Sequence, residues 1–221
     1  ISGKDFLKAF IIGYDIAARI GLATSLNPNM HPHGTWGVVG AAAALGALNK
    51  LDEAELSELI NIASSLTLAT SRKTMLEGGT VRNAYTGAAN QMAHLAYGLL
   101  LAGFSGEKDG LRSVFGGVVS CYLDSQAAVE KMGERFEVNR NYFKLHACCR
   151  YNHAALDAVW LLLDKHSELG NPEEIERIDV ESYFLAAELD DQKPCNALAA
   201  RFSIPFAIAT TLINRSSKVQ S

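Results

Sequence analysis

The chain has 221 residues, of which 48% are hydrophobic and 20% are charged, values typical of a globular protein with a substantial core. The formal net charge is −4, and no basic stripe appears, which argues against nucleic acid and anionic membranes as partners. The four cysteines do not form a secreted disulfide framework. We therefore expect a reducing compartment, either cytoplasmic or, in a eukaryote, the mitochondrial matrix.

The first 132 residues contain apolar positions at helical spacing, and polar capping residues precede two of these stretches. Ser2 with Asp5, and Asp52 with Glu55, have the spacing of a capping box. The second stretch is apolar on nearly every side, which predicts a buried helix. The predicted helices, separated by loops at 25–35 and 71–82, cover residues 2–23, 36–50, 53–70, 83–104, 109–115 and 123–132.

The pattern changes near Gly133, where alternating apolar and polar residues appear. Residues 135–143 and 175–184 alternate and are predicted strands. The remaining predicted elements are helices at 153–169 and 203–214, the latter with Pro205 in its first turn. The sequence thus predicts a mainly α fold, with an all-helical domain at 1–132 and the beginning of a smaller α+β domain at 133–221. Because both ends look cut, we expect a fragment of a longer protein.

The segment NYFKLHACCRYNHAALDAV, residues 141–159, contains residue types that suit three kinds of site. A zinc site is disfavoured, because neighbouring cysteines in an extended segment point to opposite faces and no second Cys or His pair follows. Cys149, beside Arg150, is a candidate nucleophile, but free cysteines are more often small buried residues, and we favour that interpretation. The glycine-rich stretches do not match a nucleotide-binding motif.

The third interpretation is a cationic pocket for a carboxylate. Taken singly, each cation is explained as a solvated surface residue, but three polar junctions rich in His, Arg and Lys in an acidic protein favour a carboxylate site. The residues at these junctions are His31 in the first loop, Arg72, Lys73 and Arg82 in the second, and Lys144, His146, Arg150 and His153 before the 153–169 helix.

Three motifs, in this order, resemble the MmgE/PrpD family: MHPHGTWGVVGAAAALGAL (30–48), GGTVRNAYTGAANQMAHLAYGLLLAGFSG (78–106) and YFKLHACCRYNHAALDA (142–158). That family includes 2-methylcitrate dehydratase, cis-aconitate decarboxylase and iminodisuccinate epimerase. The resemblance implies a helical domain followed by a smaller lid domain. It also implies a homodimer and an enzyme that needs neither a metal nor another cofactor.

The resemblance carries over to individual residues only in part. His31 matches the family's histidine before the Ala-rich helix, and Lys144 matches the lysine that opens the lid motif. Arg82 stands where many members have a catalytic lysine, and Cys149 stands where some have a histidine. A guanidinium does not deprotonate, so Arg82 is expected to hold a carboxylate. The family's catalytic aspartate and another histidine lie upstream of the segment that matches Ile1.

The resemblance to the family implies a metal-independent hydro-lyase. Such an enzyme removes a proton alpha to a carboxylate and eliminates water from a small hydroxy di- or tricarboxylic acid, as 2-methylcitrate dehydratase does. The predicted catalytic residues are His31, His146 and Lys144, and the predicted substrate-binding residues are Arg82, Arg150, Lys73 and His153. The alternatives are a decarboxylase or epimerase of a related acid, and a truncated fragment that only binds a carboxylate or dimerises.

Overall fold

The computed structural model describes residues 1–166, 169 and 171–218, and within them 60% of the residues are helical and 5% lie in strands. The mainly α fold predicted from the sequence is confirmed. The helices are α1 Gly3–Ala23, α2 Gly37–Asn49, α3 Glu53–Ser65, α4 Lys73–Leu76, α5 Tyr85–Leu101, α6 Gly110–Ser113, α7 Ser125–Val129, α8 His153–Lys165, α9 Phe184–Ala187, α10 Ala197–Ala200 and α11 Ile204–Asn214. The strands are β1 Thr24–Leu26, β2 Met30–His31, β3 Thr70–Ser71 and β4 Ser120–Leu123.

The chain forms two compact units, each with its own core. The first contains Ile1–Arg72 and Val81–Asn141, and the second contains Lys73–Thr80 and the described part of Tyr142–Ser221. Within the described residues, no helix is both long enough and apolar enough to cross a membrane.

The first unit is built around α1 and α2, which approach each other closely at glycines. A Cβ atom on Gly40 would lie 2.5 Å from the carbonyl oxygen of Gly13 and 2.6 Å from the Cβ of Ala17. Val38 and Val39 on α2 are fully buried, as predicted for this apolar helix. Close approach of the backbones therefore depends on the small residues at the contact.

A buried ion pair on α1 holds the segment that follows α7. The Arg19 guanidinium, 1% exposed, donates from Nε to Asp15 Oδ2 at 2.6 Å. Asp15 Oδ1 in turn accepts a hydrogen bond from the backbone N–H of Glu137 at 2.7 Å. The other guanidinium nitrogens donate to backbone carbonyls of Ala128, Glu130, Lys131 and Arg135. Residues 128–137 are thus tied to α1 through Arg19 and Asp15.

The local signals at helix starts were predicted well. Both capping boxes form, Ser2 with Asp5 at α1 and Asp52 with Glu55 at α3. The helix predicted at 53–70 ends earlier, at Ser65, because Thr70 pairs in the sheet instead. A π-helical turn at Val114–Val118 follows α6. Residues 167 and 168, at the end of the predicted 153–169 helix, lie outside the described residues.

The two predicted strands are wrong. In the first, residues 137–140 form a 3-10 turn, because Asp15 holds the Glu137 N–H and the Glu137 carboxylate accepts from Arg135 and Arg140. In the second, residues 175–183 carry no assigned secondary structure, and Phe184 already begins α9. No described residue pairs with the backbone of 176–182, and a strand requires such a partner.

The second unit packs α8 and α11 against each other and against shorter elements. Its buried core includes Leu156 and Val159 of α8 and Ile208 and Leu212 of α11. Asn152, which is fully buried just before α8, donates from Nδ2 to the backbone carbonyl of Ser203 at 3.3 Å. Ser203 caps α11 by accepting from the Phe206 N–H, with Pro205 in the first turn as predicted.

Candidate functional site

The first histidine site lies in the first unit, where the β2–β3 ladder fixes the loop that precedes α2. His31 on β2 faces Thr70 on β3, and the Thr70 hydroxyl donates to the backbone carbonyls of His31 and His33 at 3.3 Å. Gly34 turns the chain with a φ of +91°, a left-handed conformation that favours glycine. The backbone of His31 is therefore fixed by its pairing with Thr70 and by the Thr70 hydroxyl.

The protonation state of His31 follows from these contacts. Its side chain is 3% exposed, and its Nδ1 accepts a hydrogen bond from the His33 backbone N–H at 3.0 Å. Burial, followed by His33 and the charges of Arg82 and Arg72, lowers the pKa of His31 to about 4. The ring is thus neutral at pH 7, and because Nδ1 is an acceptor, Nε2 carries the proton.

Two of the predicted cations act on this histidine. Arg72 and Arg82 are half-buried residues of the first unit, and both contribute electrostatically to the low pKa of His31. Arg72 is anchored by its backbone N–H, which donates to the Asn29 carbonyl at 2.8 Å. Lys73, predicted to bind substrate, is exposed at the start of α4 and belongs to the second unit. The first site therefore contains a neutral hydrogen-bond donor, His31 Nε2, under the influence of the positive charges of Arg72 and Arg82.

The second histidine site lies in the second unit. His146 is buried, with its Nε2 2.9 Å from Asp157 Oδ1 and its Nδ1 2.6 Å from Ser217 Oγ. Because a carboxylate only accepts hydrogen bonds, Nε2 is the donor to Asp157. Both ring nitrogens are engaged, so a substrate that exchanges a proton with His146 must displace Ser217 or Asp157.

His153, the first residue of α8, packs edge-on against His146 with ring centroids 4.9 Å apart. Burial lowers the pKa of His153, and His146, Arg150 and Lys144 lower it further through their charges. Arg150 is exposed, with its guanidinium 4.6 Å from the centroid of the Tyr142 ring. The predicted residues Lys144, His146, Arg150 and His153 therefore interact electrostatically, with the cations Lys144 and Arg150 beside two histidines.

The two adjacent cysteines of this segment belong to the packing of the second unit. Cys148 and Cys149 are half-buried and pack against the second core. Burial, and then Cys149, raises the pKa of Cys148 to about 11, so it stays a thiol at neutral pH. Across the described residues, no three His, Cys, Asp or Glu side chains are arranged to hold a metal ion.

Two residues of the second site were missed from the sequence. Asp157 lies four positions after His153 on α8, a spacing that places both on one helix face and that offered a usable signal. Ser217 lies in a polar segment after α11 and reaches His146 only through the fold, so its sequence context gave no signal.

Comparison with known proteins decides the family. The sequence model of the MmgE/PrpD N-terminal domain matches residues 1–130, and that of the MmgE/PrpD C-terminal domain matches residues 146–221. The chain belongs to the MmgE/PrpD family. The family resemblance predicted from the three motifs is thereby confirmed.

Among its MmgE/PrpD relatives, a cis-aconitate decarboxylase of Aspergillus terreus is 24% identical over 235 residues, which cover 97% of this chain and 48% of that enzyme. A cis-aconitate decarboxylase-like protein of Aspergillus oryzae is 24% identical over 180 residues, 72% of this chain and 35% of that protein. The chain spans about half the length of the curated relatives it matches.

Proposed function

We propose that the chain contributes to a lyase acting on a small di- or tricarboxylic acid. The observation that carries the proposal is His31, a buried histidine whose neutral state is maintained next to the charges of Arg72 and Arg82. Arginines bind carboxylates through paired hydrogen bonds, and a neutral imidazole N–H donates a further one. Membership of the MmgE/PrpD family supports the same substrate class.

The roles proposed for the cations follow from the charge that develops in such reactions. Loss of a proton alpha to a carboxylate, or loss of CO2 from carbon, leaves negative charge that spreads onto a neighbouring carboxylate. In the first unit, Arg82 would hold a carboxylate of the substrate. In the second unit, carboxylate binding is assigned to Lys73 and Arg150, and stabilisation of the developing charge to Lys144. His31, with its proton on Nε2, would donate a hydrogen bond to the substrate, and carboxylate binding is assigned to His153 as well.

The favoured reaction is decarboxylation of an unsaturated tricarboxylate, because the relatives are named for that activity. In that reaction the C–C bond to one carboxylate breaks, CO2 leaves, and the electron pair is quenched by a proton on carbon. A proton donor and a cation are the groups that this step requires.

Dehydration of a hydroxy acid such as 2-methylcitrate is the second candidate, favoured by the hydrogen bond between His146 and Asp157. Dehydration needs a base for the alpha proton as well as an acid for the departing hydroxyl. A histidine oriented by a carboxylate suits the base, since the carboxylate stabilises the imidazolium that forms. The same pair would serve an epimerase, which removes and returns a proton at one carbon.

The test measures CO2 release and ultraviolet absorbance with cis-aconitate, citrate and 2-methylcitrate. CO2 from cis-aconitate supports decarboxylation, whereas a new conjugated-acid absorbance from 2-methylcitrate without CO2 supports dehydration. The 221-residue chain is assayed beside a family-length protein from the same source. Activity in the longer protein alone assigns this chain a partial role. If neither protein acts on any of the three acids, the proposal is contradicted, and a fragment that binds a carboxylate or dimerises is favoured.

The proposal includes a homodimer in a reducing compartment, cytoplasmic or mitochondrial. Support for the compartment comes from the four cysteines, all of which are free thiols. The dimer rests on the family resemblance. Sedimentation analysis of the purified protein tests it.

A further inference from the structure

Three side chains of the second site form a continuous hydrogen-bonded chain, from a serine through a histidine to an aspartate. Ser217 Oγ lies 2.6 Å from Nδ1 of His146, and Nε2 of the same ring lies 2.9 Å from Asp157 Oδ1. The ring nitrogen that faces Asp157 carries the proton, because a carboxylate only accepts hydrogen bonds. Nδ1 is therefore the acceptor, and the Ser217 hydroxyl donates to it.

This direction of donation is the one that a nucleophilic serine requires. A histidine accepts the hydroxyl proton, and a carboxylate on the far side of the ring fixes the tautomer and stabilises the imidazolium that forms. In Ser-His-Asp triads of hydrolases, Nε2 faces the serine and Nδ1 faces the aspartate. Here the two ring nitrogens exchange places. Because either nitrogen can be the acceptor while the other donates, the roles of the three groups are unchanged.

Backbone contacts hold the serine beside the histidine. The Ala147 N–H donates to the Ser217 carbonyl at 2.9 Å, so the residue next to His146 binds the backbone of the serine itself. Asp157 extends from α8, a third segment of the chain. All three segments belong to the second unit, and the arrangement is therefore complete within one compact part of the chain.

The exposure of the three side chains suits these roles. The His146 side chain is 8% exposed, so water competes little for its ring nitrogens. Ser217 is partly buried, and the Asp157 side chain is 62% exposed, so the chain of hydrogen bonds reaches the surface at both ends. An acyl compound can therefore approach the hydroxyl while the base stays covered.

Positive charge for the oxyanion that forms during attack is present in the same site. Lys144 and Arg150 both act electrostatically on His153, whose ring centroid lies 4.9 Å from that of His146. Cations near a tetrahedral intermediate stabilise the negative charge on its oxygen. The same cations attract an acyl group that carries a carboxylate, so an acidic ester is the favoured substrate class.

We propose that Ser217 is a nucleophile that hydrolyses esters of small acids, with His146 as its base and Asp157 as a positioning residue. Ser217 Oγ bonds to the acyl carbon while its proton moves to His146 Nδ1. The bond from the acyl carbon to the alcohol oxygen then breaks, and the alcohol leaves with that proton. Water, deprotonated by the same ring, cleaves the acyl-serine ester and releases the carboxylic acid. One ester and one water give one acid and one alcohol.

The test uses p-nitrophenyl acetate and the p-nitrophenyl monoester of succinic acid, and it follows nitrophenolate release and the mass of the acylated peptide. We expect a rapid initial release, an acyl group on Ser217, and a faster reaction with the acidic ester. Ser217→Ala should remove the label and lower the rate about a hundredfold or more. Asp157→Asn should lower it at least about tenfold, with partial recovery in Asp157→Glu. Circular dichroism verifies that each variant is folded.

A neighbouring serine provides the matched control. Ser216 Oγ accepts a hydrogen bond from the Lys218 N–H at 3.3 Å, and Ser216→Ala should keep both the rate and the label. A folded wild-type chain without an acyl group on Ser217 overturns the proposal, as does a label that is unaffected by Asp157→Asn. The family-length protein is tested in the same way, and absence of the label there also overturns it.

The inference goes beyond the proposed lyase activity and fails separately from it. The ester assay follows cleavage of a C–O bond at an acyl carbon, whereas the lyase assay follows CO2 or a conjugated acid. Ser217 labelling without lyase activity supports the inference alone. Lyase activity in a protein whose Ser217 is never acylated overturns the inference and leaves the proposed function intact.

Discussion

Replacing Arg19 by alanine provides the strictest test of how the first unit is held together. The guanidinium is 1% exposed and donates to the buried carboxylate of Asp15 and to backbone carbonyls of residues 128–135. Removing it leaves Asp15 without its charge partner and takes one donor from each of these carbonyls. Breaking a buried ion pair in this way costs about 3–5 kcal/mol. For a chain of this size the melting temperature should fall by roughly 6–20 °C.

Urea unfolding measures the free energy, and a matched arginine provides the control. Arg177 pairs with Asp179 at 2.8 Å, but the two side chains are 79% and 71% exposed. Arg177→Ala, measured at a dilution where the chain is monomeric, should cost less than about 1 kcal/mol. A double-mutant cycle with Asp15→Asn should give a coupling of about 1–3 kcal/mol. A loss below about 1 kcal/mol for Arg19→Ala would refute the reasoning.

Further predictions concern the candidate site and the helix contact. Because the pKa of His31 is about 4 in the folded chain against 6.5 when unfolded, its contribution to stability is full above pH 6.5 and is lost as the pH falls towards 4. Wild type should therefore lose up to about 3 kcal/mol relative to His31→Gln over that range in urea titrations. In the active protein, His31→Gln should lower kcat far more than it raises KM, and an unchanged kcat removes His31 from the mechanism. Arg82→Ala should mainly raise KM, with partial recovery in Arg82→Lys, and an unchanged KM argues against carboxylate binding. Gly40→Ala should cost about 1–3 kcal/mol, because the added methyl meets the Gly13 carbonyl, whereas Gly87→Ala on α5, with open space around it, should not destabilise the protein.

Local interactions were predictable from the sequence, and long-range ones were not. The capping boxes of α1 and α3 need only residues three positions apart, so their signals survive in any fold. The alternation at 135–143 is a local signal as well, but Asp15, 122 residues away from Glu137, decides the conformation there. The alternation at 175–184 suits a β-strand, but the pattern does not identify a segment that would pair with it.

The candidate site divides in the same way. Residue types and their positions at element boundaries identified the cations around His31 and His153, while the roles of these residues remain predictions. The protonation state of His31 could not be predicted from the sequence. It depends on the hydrogen bond from the His33 backbone N–H and on burial, and both arise only when the loop is folded. The division into domains at 1–132 and 133–221 also remains a prediction.

Residues 73–80 belong to the second unit, although the residues before and after them belong to the first, and this has a consequence for synthesis on the ribosome. Gly78 accepts a hydrogen bond from Asn196, a residue made 118 positions later. At about 5–20 residues per second, the 73–80 segment waits roughly 6–24 s for that partner to be translated. During this interval Met75, buried in the finished protein, is exposed in the nascent chain. Chaperone binding to nascent chains would therefore concentrate on this short segment, and an expression host with slower elongation would prolong its exposure.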